Sequence, residues 1–69
     1  MKRIRFTRHA LERCAERDIH PPLVYRIAIR QEPDVLQLAD DQLVLRRGAR
    51  ELVVSYDEVR RLVITAFWR

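Results

Sequence analysis

His9, Arg13 and Arg17 follow one another at intervals of four. On an α-helix that spacing stacks three side chains along one side, about 6 Å apart per step. A guanidinium offers a planar fork of donors that matches phosphate oxygens, and an imidazole can take or give a proton near neutral pH. Together they suit a phosphodiester. Metal-free RNA cleavage needs a base for the ribose 2′-hydroxyl, an acid for the leaving oxygen and cations for the developing charge. The competing reading is a solvated helix face, in which Arg8–Glu12 and Arg13–Glu16 pair at helical spacing. Against it, Arg13–Arg17 and Glu12–Glu16 are like-charge pairs that each cost about 0.2–0.5 kcal/mol.

Other residues are secondary candidates. Arg46, Arg47 and Arg50 surround a predicted hairpin tip, as solvated turn residues or phosphate contacts. Tyr56 and Trp68 are sheet-packing residues by default; exposed, either ring stacks on a base. Thr65 interrupts the apolar run Val63 to Trp68, so its hydroxyl needs a partner or faces a site. His20 precedes Pro21-Pro22 and reads as the cap of a second helix.

The elements that must position these residues follow from periodicity. Lys2 to Phe6 alternates basic and apolar, as a short edge strand does. Thr7 is a good N-cap for a helix over Arg8–Arg17, whose stripe is Ala10, Leu11, Cys14 and Ala15. The prolines restart a helix over Pro21–Arg30, with Leu23, Val24, Ile27 and Ala28 on its apolar side, and Pro33 stops it. From Val35 the pattern becomes extended. Strands are expected at Val35–Ala39, Leu43–Arg46, Leu52–Tyr56 and Leu62–Trp68, with turns at Asp40-Asp41, Arg47-Gly48-Ala49 and Asp57-Glu58. The expectation is a single α+β domain over residues 1–69. Its two N-terminal helices pack on a four-stranded antiparallel sheet, with room for an extra short N-terminal strand.

With 69 residues and 48% apolar content the chain has one core, burying roughly 60% of its unfolded surface. That narrow margin makes a homodimer or a stabilising partner a reasonable expectation. The net charge of +4 favours polyanions. However, Lys2 is the one lysine among 14 basic residues, and such an arginine bias also follows from genome composition. Cys14, alone, forms no intrachain disulfide and reads as a small buried side chain. A single glycine excludes a phosphate-binding glycine loop, and no carboxylate–histidine cluster indicates a metal, so no cofactor is expected. No apolar run approaches the ~20 residues of a membrane span. The basic opening has no apolar stretch behind it, so no membrane association and a cytoplasmic location are expected.

The stretch Phe6-Thr7-Arg8-His9-Ala10-Leu11-Glu12-Arg13-Cys14-Ala15-Glu16-Arg17-Asp18-Ile19 resembles the opening of a small bacterial family, domain of unknown function 4258. The Pro33-Asp34 step, the strand Leu52-Val53-Val54 and the ending Leu62-Val63-Ile64-Thr65-Ala66-Phe67 extend the likeness over the chain. That family is similar in layout to the ribonuclease toxins of toxin–antitoxin pairs, notably the BrnT and RelE types. The resemblance implies a metal-independent endoribonuclease neutralised by an antitoxin protein. His9, Arg13 and Arg17 would be its active residues, with Thr65 a further candidate. Asp18 stands where such proteins usually have glycine, so a different end to the first helix is expected. The rival expectation is a non-catalytic module of the same fold that binds RNA or a protein. A third, an oligomerising domain, needs an exposed apolar sheet face.

Overall fold

The computed structural model describes residues 3–69. In chain order the elements are β1 (Arg5–Phe6), α1 (Arg8–Glu16), α2 (Pro21–Ala28), β2 (Val35–Ala39), β3 (Gln42–Arg47), β4 (Arg50–Asp57) and β5 (Leu62–Trp68). β2 to β5 form the expected antiparallel meander. The short N-terminal strand adds to it in parallel, Arg5 opposite Leu62 and Phe6 opposite Val63. The sheet is therefore five-stranded and mixed, in the order β1-β5-β4-β3-β2, rather than four-stranded and antiparallel. Of the strand expected over Lys2–Phe6 only Arg5–Phe6 pairs; Lys2 lies outside the described residues.

Alternation along the strands separates two faces. Leu43 and Leu45, Leu52, Val54 and Tyr56, and Val63 and Ala66 meet the helices, and all are buried. Val44, Val53 and Phe67 align in register across the opposite face, followed by the polar row Gln42, Ser55 and Thr65. Ile64 is an extra residue in β5, because Ser55 faces Thr65 while Tyr56 faces Val63. This bulge returns Val63 to the helix side.

Thr7 caps α1 as expected: its hydroxyl oxygen accepts from the Ala10 amide at 2.9 Å. Only Ala10 and Cys14 of the expected stripe are buried; Leu11 is 48% exposed and Ala15 is also outside. α1 packs chiefly on β5 and β1, near one edge of the sheet, so a narrow ridge makes the contact. α2 sits over β3 and β4 and buries Val24, Ile27 and Ala28.

Both helices end without glycine. The Ile19 amide donates to the Cys14 carbonyl at 2.8 Å, and the Gln31 amide to the Arg26 carbonyl at 2.9 Å. These are the long closing bonds of Schellman ends, which require a left-handed residue in between. Asp18 (φ 55°) and Arg30 (φ 62°) supply it. Asp18 thus takes the conformation a glycine would take, and the end of α1 is not rearranged.

Candidate functional site

The first helix is fixed to β5 at both ends. β1 stops at Phe6, which leaves the outer edge of β5 unpaired beyond Val63. The Thr7 amide donates to the Val63 carbonyl (3.0 Å) and its hydroxyl to the Ile64 carbonyl (3.1 Å). One turn past the middle of the helix, Arg17 Nη1 donates to the Ala66 carbonyl at 2.9 Å. The Trp68 indole N–H closes the arrangement by donating to the Arg17 carbonyl at 3.3 Å. Carbonyls of β5 beyond the end of β1 are thereby satisfied by the two residues that cap α1, Thr7 through its amide and hydroxyl and Arg17 through its guanidinium.

Of the expected stack His9 and Arg13 lie on α1, while Arg17 is its C-cap, one residue past the helix, and the three differ. His9 is open to solvent. Arg13 is half-exposed and ion-paired with Glu16, while Arg8 pairs with Glu12 at 3.3 Å. Arg17 is exposed on one side and anchored on the other by the Ala66 carbonyl.

The secondary candidates separate by face. Trp68 lies on the helix side, packed against the core, with the Arg50 guanidinium 4.2 Å from its ring centroid. Tyr56 is 5% exposed in the core, so its ring is closed to a stacking base. Burial, helped by Glu58, pushes its phenol above the usual range. Arg47 reaches Glu32 at 3.4 Å beside the end of α2. Thr65 and Arg46 are on the outer face, away from α1, and Arg46 is paired with Glu51 at 3.2 Å. The structure thus brings Arg17 and Trp68 together and leaves Thr65, Arg46 and Arg47 apart from the stack. His20 begins α2 without a side-chain capping bond. Cys14 is buried, and desolvation raises its thiol pKa, as expected of a packing residue.

Arginines that the spacing argument passed over complete the picture. Arg3, Arg5, Arg17, Arg50 and Arg61 make no ion pair among the described residues, whereas Arg26, Arg30, Arg46, Arg47, Arg60 and Arg69 all do. Arg5 and Arg61 are joined at the start of β5, where the Arg5 amide donates to the Arg61 carbonyl at 2.9 Å. Arg17 and Arg50 flank Trp68 at its end. The unpaired cations therefore border α1 and β5. The sequence signal differs between them: Arg5 has no acid three or four residues away, whereas Arg61 follows Asp57 and Glu58 at those spacings and still pairs with neither.

Among the described residues no three His, Cys, Asp or Glu side chains gather as metal ligands. No helix among the described residues is long and apolar enough to cross a membrane. Compared with protein families, with curated proteins and with solved structures, the chain matches none.

Proposed function

We propose that this chain acts on RNA, as a small metal-independent endoribonuclease of the toxin kind held in check by an antitoxin. The observation that carries the reading is the placement of arginines without ion pairs at both ends of β5, Arg5 and Arg61 at its start and Arg17 and Arg50 beside Trp68, with His9 exposed on α1. Arg5, Arg61 and Arg50 would track the phosphate backbone. Arg13 and Arg17 would hold the scissile phosphate, Arg13 exchanging Glu16 for it. His9 would take the 2′-hydroxyl proton, and as the stack offers one proton-transfer group, water would protonate the leaving oxygen.

A specific observation favours the second reading, a non-catalytic RNA-binding module. Arg13 and Arg17 already have partners, Glu16 and the Ala66 carbonyl. Incubation of the purified protein with RNA in EDTA separates the two. Cleavage abolished by His9→Ala and Arg13→Ala supports the enzyme. Cleavage that survives both substitutions removes this site from consideration. Binding without cleavage, weakening with salt by a slope that falls about 0.7 for each of Arg5 and Arg61 replaced by alanine, supports the module.

A further inference from the structure

The opposite edge of the sheet is built differently. β2 is an edge strand of five uncharged residues, Val35-Leu36-Gln37-Leu38-Ala39, with Leu36 68% and Leu38 42% exposed. Natural edge strands are usually blunted by charge, proline or a covering element, because an open edge is a template for another strand. Here the bulge at Leu38 interrupts the register, and the Gln37 side-chain amide donates to the Ala39 (2.7 Å) and Asp40 (3.3 Å) carbonyls. Both devices act on the C-terminal half of β2. Val35 to Gln37 keep regular pairing with β3 on one side and have no strand on the other.

Beside this stretch the outer face forms a shallow depression lined by Pro33, Asp34, Leu36, Val44, Arg46 and Glu51. An added strand would place alternate side chains into it. The charges around the edge specify the occupant. Asp34 precedes β2, Asp40 and Asp41 follow it, and none of the three is in an ion pair among the described residues. The nearest cations, Arg30 and Arg46, are already paired with Glu58 and Glu51. The edge is locally acidic in a chain of net charge +4.

We propose that the β2 edge takes an extended segment of a partner polypeptide, added as a sixth strand, with apolar residues alternating along it and basic residues at its ends. A second copy of this chain fits poorly. Antiparallel pairing of two β2 strands about Gln37 sets Asp34 against Asp40 of the other copy, and parallel pairing sets like ends together. The basic β1 edge of another copy offers two strand residues, and its addition would give an open row of copies rather than a closed pair. The proposal is independent of the RNA reading, because it uses none of the residues bordering α1 and β5.

The probe is a synthetic peptide of about seven residues, alternating valine and threonine between a terminal lysine and arginine. Binding is read by anisotropy, and its location by amide shifts. Expected are shifts confined to Val35–Ala39 and the neighbouring β3, and binding at least tenfold weaker when alternate peptide amides are methylated. Asp34→Lys, Asp40→Lys and Asp41→Lys should each weaken binding about threefold, and a peptide with glutamate ends should recover it on the triple variant. Leu36→Lys, checked by thermal melting to be folded, should also weaken it. Equal binding of the methylated peptide, shifts centred on α1 and β5, no binding at all, or a dimer in sedimentation that Leu36→Lys dissolves would each overturn the proposal.

Discussion

Along the β5 edge, β1 pairs to Phe6, then the Thr7 amide takes the Val63 carbonyl and its hydroxyl the Ile64 carbonyl, and then the Arg17 guanidinium takes that of Ala66. Along the β2 edge no strand pairs with the outer side of Val35 to Gln37, and two leucines stand in solvent. The Val35 amide there donates to the Glu32 carbonyl (3.4 Å), and Arg30 reaches the Gln37 side chain (3.3 Å). The charges divide in the same way. Unpaired arginines border β5; of the unpaired aspartates, Asp34, Asp40 and Asp41 border β2, with Asp18 at the end of α1 the exception. One edge is thus a finished piece of the fold whose remaining cations face outward, and the other is a backbone edge with acids at its ends. A polyanion suits the first and an extended basic segment the second.

If the β5 edge is finished by packing and hydrogen bonds, removing its parts must cost stability. The largest effect should come from Trp68→Ala. It removes core packing, the indole bond to the Arg17 carbonyl and the Arg50 contact, at about 3 kcal/mol. Because Trp68 is the one tryptophan, urea unfolding should be followed by circular dichroism. For a domain of this size, whose stability is about 3–10 kcal/mol, that loss brings the chain close to unfolding. A near-wild-type midpoint would mean that α1 and β5 are held together elsewhere.

Thr7→Val is the next test. It keeps the shape of the side chain but removes the helix cap and the bond to the Ile64 carbonyl, at about 2 kcal/mol in the same measurement. Thr7→Ser keeps both bonds and should lose little.

Asp18→Gly should move in the other direction. A non-glycine residue at φ 55° carries a conformational cost, so glycine should raise stability by about 0.5–1 kcal/mol. A decrease would show that the Asp18 side chain contributes to the end of α1 in some further way.

These residues also indicate where the sequence was informative. Thr7 was readable because capping is a local rule, and the strands because alternation is local. The left-handed residues were not: glycine is the usual sign of such a position, and Asp18, Arg30 and Arg61 occupy three of them in its place. Spacing could place His9, Arg13 and Arg17 on one side of a helix, but not foresee that Arg17 ends on the carbonyl of Ala66. That bond exists only because β1 stops after two residues, a fact of tertiary pairing. Thr65 and Trp68 are close in sequence, yet alternation and the Ile64 bulge put them on opposite faces.

Between the two edges, Glu51 gives a smaller, pH-dependent effect. Its hydrogen bonds to Arg69 and then Arg46, at 2.9 and 3.2 Å, hold its carboxyl below the ordinary value of 4.5. A folded-state value below the unfolded one means that the contribution is full above about 4.5 and fades as pH falls through the lowered value. Glu51→Gln should therefore lower stability in the neutral region, leave it little changed at pH below the lowered value, and so flatten the acid limb of the profile. An unaltered acid limb would assign acid sensitivity to other carboxylates.

The smallest effect should be at the open edge. Leu36→Lys replaces a side chain that is 68% exposed and stands on an edge strand, so it loses little buried area and breaks no hydrogen bond. Stability should change by less than about 0.5 kcal/mol, while a charge on the edge discourages strand addition. This near-zero result is what makes the contrast informative. If Leu36→Lys proved as costly as Thr7→Val, Leu36 would be holding the fold together, and its exposure could not be read as a surface kept for a partner. If it left the melting curve in place and removed peptide binding, the leucine would be stabilising the bound state alone.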